Sequence, residues 1–310
     1  MQFTRRLLSG LLTFVPGGRL LSERSTGGSG SARYCYWVWL HHLVLARRNG
    51  LPANPRVVAE LGPGDSLGTG IAALLGGVDR YYAFDVISYS QTERELQILE
   101  QLRQMYGQRL PPTDDDFDRA MFRLASFPDE IPPADLERAL REERVEAIRA
   151  AIQNLGEEQD GIVAAYEPSW LEAKAAPGEQ AELLVSQAVL EHVDDLPGAY
   201  RAMYDWTAPG GMISHEIDFR SHNFARDWNG HWSFSDASWA LIRGRRRYAI
   251  NREPLSTHLR LTREAGFRIV DVKRAIEPSA IGRDRLASRF ASLDDEDLTT
   301  KAVLIQAVKD

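Results

Sequence analysis

VVAELGPGDSLGTG, residues 57–70, reads as a buried strand that runs into a glycine turn and then a helix. Gly62, Gly64 and Gly68 make G-x-G-x-x-x-G, which is near the dinucleotide fingerprint but weak when it stands alone. A pyrophosphate cradle needs backbone N–H donors at a helix N-terminus. Pro63 has no such donor. Glu60 at the strand end and Asp65 within the turn would repel a phosphate and attract a cation. No Lys followed by Ser or Thr closes the turn, so a P-loop is excluded. The turn therefore suits a positively charged ligand.

Further strands alternate with helical segments on the C-terminal side of this unit. Apolar runs at 56–61, 81–86, 161–165, 182–187, 211–218, 267–273 and 302–308 predict a mostly parallel sheet covered on both faces. The last two runs are joined by a loop with too little helical pattern for a crossover, so the final strand is expected to be antiparallel. Residues 87–160 form a long excursion with two charged helical stretches, read as a helical insertion on the rim of the sheet. The acidic run at 114–116 reads as a solvated helix start.

On the N-terminal side, residues 1–50 are read as an amphipathic helix, a glycine- and serine-rich joint and an aromatic helix; 51–310 form the main domain. Phe3, Leu7, Leu8, Leu11, Leu12 and Val15 share a helix face opposite Arg5 and Arg6, which fits a membrane surface or a protein partner equally. No run is long enough to span a bilayer. Tyr34, Trp37, His41 and Leu45 form a stripe that core packing explains. The net charge of -7 argues against general nucleic-acid binding, and the single Cys35 permits no internal disulfide. A cytoplasmic protein is expected, at the inner face of the membrane if the leading helix binds there.

Four segments in order resemble the class I S-adenosylmethionine-dependent methyltransferases. AELGPGDSLGTG is similar to their first motif, YYAFDV to the acidic end of their second strand, and ELLVSQAVLEHVDDLPGAYRAMYDWTAPGGMISHEID to their fourth strand, next helix and fifth strand. LRLTREAGFRIVDVK is similar to the helix and strand that follow. The resemblance covers roughly 57–308 and points to the branch with small-molecule and glycan O-methyltransferases. It implies an α/β fold, a doubly wound Rossmann-like seven-stranded sheet with the last strand antiparallel. It also implies S-adenosyl-L-methionine as cofactor, a ligand with a sulfonium and an α-ammonium and no phosphate. Glu60, Gly62, Gly64, Asp65, Asp85 and Gln187 are then cofactor-binding candidates, with Asp85 on the ribose. Ser66 stands where many members have a third glycine. Glu167, Ser169 and Trp170 are the candidates near the adenine.

In open α/β sheets the ligand crevice lies beyond the carboxyl ends of the strands. His192, His215 and Asp218 fall there and are the catalytic candidates, His192 first as a general base whose rate limb would lie between about pH 6 and 7.5. Glu191, His192 and His215 offer only a partial ligand set, and no metal is expected. Segment 219–255 is the acceptor-binding candidate: its aromatic and basic residues His222, Trp228, His231, Trp232, Arg245 and Arg246 suit a sugar ring bearing a carboxylate or phosphate. Half of its tryptophans are expected in the core. The expected function is O-methylation of a sugar or surface glycan, of lipopolysaccharide or capsule type. A lipid, quinone or other small metabolite is the alternative acceptor. A non-catalytic nucleoside-binding scaffold is the alternative of another class.

Overall fold

The computed structural model describes residues 10, 13–14, 29–86, 88–111, 124, 126–176, 178–246 and 248–310. Nearly all of the leading helix, most of the joint and the acidic run at 114–116 lie outside these residues.

Helix α1 (Ala32–Arg48) starts at Ser31, whose side chain accepts from the Tyr34 N–H, and ends on Arg47 and Arg48. It is buried on almost every side, with Trp37, Trp39, His41 and His42 all inside. A helix apolar all round belongs in a core rather than on a surface. The chain continues through β1 (Val57–Leu61), α2 (Gly68–Leu75), β2 (Arg80–Phe84) and α3 (Thr92–Gly107). Helices α4 (Pro133–Ala139) and α5 (Glu142–Gln153) precede β3 (Val163–Glu167) and β4 (Ala181–Gln187). Then come α6 (Leu196–Trp206), β5 (Thr207–Asp218), α7 (Asp236–Arg243), α8 (Leu255–Glu264), β6 (Arg268–Ile276), α9 (Asp295–Thr299) and β7 (Thr300–Val308).

The seven strands pair in the order β3-β2-β1-β4-β5-β7-β6. All pairs are parallel except those of β7, which runs antiparallel to both β5 and β6. This is the doubly wound sheet expected from the sequence, with each strand run displaced at its ends by no more than a few residues. The chain reverses its direction of travel across the sheet between β1 and β4, and a crevice opens at the carboxyl ends there.

Alternate residues of each strand face opposite layers. Val58, Leu183, Val185 and Met212 pack under α1, α2, α3 and α5, while Ala59, Leu184, Ile213 and Ile217 pack under α6 and α8. Ile98, Leu99, Leu102 and Tyr106 of α3 and Val145 and Ile148 of α5 belong to the first of these cores. The excursion after β2 is thus built into one face of the sheet rather than set on its rim. The expected boundary at residue 50 does not coincide with a break in packing either, because α1 shares that core and His42 Nδ1 lies 2.7 Å from Ser214 Oγ of β5. Among the described residues no helix is long and apolar enough to cross a membrane.

Candidate functional site

The glycine turn is held in shape by left-handed backbone at Gly62 (φ 69°) and Gly64 (φ 73°), a region that costs glycine little. Its amides are spent on the protein itself. Gly62 N–H donates to Phe84 O at 2.8 Å and Asp65 N–H to Ser29 Oγ at 2.7 Å. Leu67 N–H donates to the buried Glu95 carboxylate at 3.1 Å, and Gly68 N–H to Ser66 Oγ at 3.1 Å. A carboxylate of the chain already sits where a phosphate would dock on the N-terminus of α2. Gly70 lets that helix lie against β2, since a Cβ there would fall 2.1 Å from the Tyr81 ring.

Beneath the turn, Glu60 is buried and accepts from Tyr81 Oη at 2.6 Å. Burial pushes its carboxyl up to about 7; hydrogen bonds from Tyr81 and Thr69 oppose the rise, and the charges of Glu95 and Asp85 add to it. The turn has surplus negative charge and four of its amides already bonded, so it is suited to a cation.

Glu60, Gly62, Gly64, Asp85 and Gln187 line one continuous cleft of about 1650 Å³, which also takes in His192, Glu216, Asp218, Arg220, His222, Arg245 and Arg246. Asp85 follows β2, and its Oδ1 accepts from Val86 N–H at 2.7 Å. Asp65 sits in the turn but does not line the cleft. Of the adenine candidates only Trp170 lines it, stacked on Phe84 with ring centroids 5.6 Å apart. Ala188, directly after β4, is held at φ 53° with its N–H on Glu216 O, a strained position of the kind that marks functional loops.

Three carboxylates converge past β4 and β5. Glu191 is buried, and no side chain donates a hydrogen bond to either of its oxygens. Burial, then the charges of Asp218 and Glu216, hold its pKa well above the usual range, against the backbone N–H groups of Glu191 and Asp218. Glu216 is pushed up to about 8, mainly by burial. Asp218, despite its burial, is held below the ordinary carboxylate range by bonds from His222 and from Arg220, whose Nε lies 2.8 and 2.9 Å from its two oxygens. The rings of His192 and His222 meet nearly at right angles, 5.1 Å between centroids.

Several expectations change. His215 does not reach the cleft: it is fully buried on the α6–α8 side of β5, with Nδ1 2.8 Å from Ser186 Oγ, and burial lowers it to about 3. His231 and Trp232 are buried as well, and Trp232 Nε1 donates to Arg252 O at 3.0 Å. Trp228 packs beside Trp232 and donates to Pro278 O, so none of these three offers a face to a sugar. His192 does line the cleft, but burial and the facing His222 lower it to about 4, against the pull of Asp218. It stays neutral near pH 7, and its titration would place a rate limb near pH 4 rather than between 6 and 7.5.

His222 was grouped by sequence with the acceptor residues; the structure sets it instead beside Glu191 and Asp218, with Nε2 4.0 Å from Glu191 Oε1 and 3.4 Å from Asp218 Oδ2. Arg243, Arg245 and Arg246 follow α7 at the mouth. Arg243 pairs with Asp194 at 2.5 Å, and Arg245 lies over the Phe14 ring. Tyr89 and Tyr248, which sequence did not single out, close the mouth with their hydroxyls 3.1 Å apart.

No protein-family model matches this chain, and no curated protein matches it. Among solved structures it is similar to an S-adenosylmethionine dependent methyltransferase from Mesorhizobium loti (15% identity, 91% of this chain and 100% of the other, TM-score 0.42). It is also similar to the N-methyltransferase NodS from Bradyrhizobium japonicum in complex with S-adenosyl-L-homocysteine (13%, 87% and 86%, TM-score 0.38). A third is phosphoethanolamine N-methyltransferase 2 from Haemonchus contortus in complex with S-adenosyl-L-methionine (13%, 94% and 59%, TM-score 0.43). All three of these solved structures are methyltransferases.

Proposed function

We propose that the protein is an S-adenosyl-L-methionine-dependent methyltransferase acting on an oxygen of an anionic acceptor. The observation that carries the cofactor half is the closed turn. Four of its amides are taken by Phe84, Ser29, Glu95 and Ser66, and a buried carboxylate titrating near neutrality stands beneath it. A dinucleotide needs those donors; a sulfonium and ammonium need the charge instead. Glu60 and the Gly62–Gly64 backbone would hold the amino-acid end, and Asp85 the ribose hydroxyls. The cofactor supplies an activated methyl group on a sulfonium leaving group. The acceptor half rests on the arginines at the cleft mouth, since a guanidinium pairs well with carboxylate or phosphate. A sugar or glycan carrying such a group belongs to this class, although Trp232 is buried in the core and Trp228, packed beside it, does not line the cleft.

Calorimetry tests the reading directly. S-adenosyl-L-methionine and S-adenosyl-L-homocysteine should bind and NAD should not, and Asp85→Ala should weaken both by at least about tenfold, the loss expected for a charged hydrogen-bond acceptor. NAD binding, or unchanged affinity in a folded Asp85→Ala variant, overturns it.

Glu60 gives a second check. A cationic ligand favours its ionised form, so below pH 7 binding must expel a proton. Affinity should therefore rise about tenfold from pH 6 to pH 8 and then level off, because the ionised fraction rises by that factor around a pKa near 7. Glu60→Gln should bind more weakly and flatten the profile. A wild-type profile flat across this range would separate Glu60 from the ligand.

A further inference from the structure

We propose that Glu191, His192 and His222 form a binding site for one divalent first-row transition ion on the floor of the cleft. One oxygen or nitrogen from each comes within 4.8 Å of the others. Glu191 is 3% exposed and no side chain donates to either of its oxygens, although Glu216 and Asp218 lie close by. A buried, unpaired carboxylate is costly, and a cation is what would satisfy it. The positive neighbour, Arg220, is spent on both oxygens of Asp218.

The imidazoles distinguish a metal from an organic cation. His192 Nδ1 is buried without a partner, while a backbone hydrogen bond to Tyr248 holds the ring. That is the arrangement in which one ring nitrogen is fixed by a carbonyl and the other is left to ligate. His222 Nε2 faces the same spot, 4.0 Å from Glu191 Oε1 and 3.4 Å from Asp218 Oδ2. Two imidazole nitrogens and one carboxylate suit Zn²⁺, Fe²⁺, Co²⁺ or Mn²⁺ rather than Ca²⁺ or Mg²⁺, which prefer all-oxygen sets.

The scaffold is built to hold these groups. Glu191 and His192 ride on a single tight turn (Leu190–His192), clamped by Asn251. The Asn251 side chain donates to Leu190 O at 2.7 Å and Val193 O at 2.9 Å, and its N–H to Glu191 O at 2.7 Å. His222 arrives from the other side on left-handed backbone, φ 42°, followed by Asn223 at φ 64°. Ligands about 2.1 Å from one ion sit roughly 3.4 Å apart in a tetrahedral site. The His222 side chain, 28% exposed and 4.0 Å from Glu191 Oε1, would close in by about 1 Å on binding the ion.

The site rests on the proposed function for its role. An ion with open positions toward the cleft would ligate the acceptor hydroxyl and lower its pKa, and the proton would leave to solvent.

The test titrates MnCl₂, followed by electron paramagnetic resonance, and ZnCl₂, followed by calorimetry, into chelator-treated full-length protein. One ion per chain is expected. His222→Ala, on a partly exposed loop, and Glu191→Gln should each weaken it by at least about 100-fold, beyond what loss of an outer partner costs. S-adenosyl-L-homocysteine titrated into the same samples should bind the variants as it binds wild type. No stoichiometric ion, or wild-type ion affinity in folded His222→Ala, overturns the site. Retained ion binding without S-adenosyl-L-homocysteine binding would instead overturn the methyltransferase reading and leave the ion site standing.

Discussion

Acidification from pH 7 to pH 5 will destabilise this protein and lower its melting temperature. Burial holds His41 well below its ordinary range, His42 and His192 at about 4, and His215, His231 and His258 at about 3. In the unfolded chain each would titrate near 6.5. As pH falls below 6.5 the unfolded state takes up protons that the folded state refuses, so the stability these six groups supply at neutral pH drains away. Glu60, Glu191 and Glu216 act in the opposite sense. Their folded pKa values stand above the unfolded value, so their contribution is greatest in acid and is lost as pH rises through those values. Six groups outweigh three. A net uptake of about three protons corresponds to roughly 4 kcal/mol per pH unit, against a typical domain stability of about 5–15 kcal/mol. Circular dichroism and melting at pH 5, 6 and 7 check this. A melting temperature that moves by less than about 5 °C would mean that these histidines are hydrated in solution.

Gly62→Ala should reduce S-adenosyl-L-methionine affinity at least 100-fold while leaving a folded protein. A side chain at φ 69° costs about 1–3 kcal/mol in backbone strain. The new Cβ would also stand 2.6 and 2.7 Å from the two Val189 methyl carbons, so the turn and the loop after β4 must part. Both line the cleft. Removing the obstacle in the Gly62→Ala, Val189→Ala double variant should recover part of the loss, because the strain remains and the collision does not. Single-variant affinity within threefold of wild type would show that the turn lies away from the ligand.

The sheet was legible because its strands are buried on both faces and read as apolar runs, and because the carboxylates around Pro63 spoke against a phosphate. His215 was misplaced although a signal existed. Side chains alternate along β5, and His215 has the parity of Ile213 and Ile217, which face α6 and α8; Glu216 and Asp218 have the parity of the cleft. Helix α1 was read as a one-sided stripe, yet Trp39 and His42 are as deeply buried as Trp37 and His41. Its burial on all sides comes from α2 and the sheet together with the helices inserted after β2. The meeting of His222 with Glu191 depends on two successive left-handed residues, and no spacing rule reveals those.

Ser29 touches the glycine turn twice: its Oγ accepts from Asp65 N–H, and its carbonyl accepts from Ser66 Oγ. A fragment trimmed to 51–310 would keep every strand, both arms of the cleft and all the residues proposed to act there. It would lose the clasp that shapes the turn, as well as the helix under half the sheet. Anyone seeking a minimal unit for crystallography, fusion or permutation should therefore place the N-terminal cut before Ser29. The opening made by β1 and α2 is finished by a residue that the chain lays down almost thirty positions earlier.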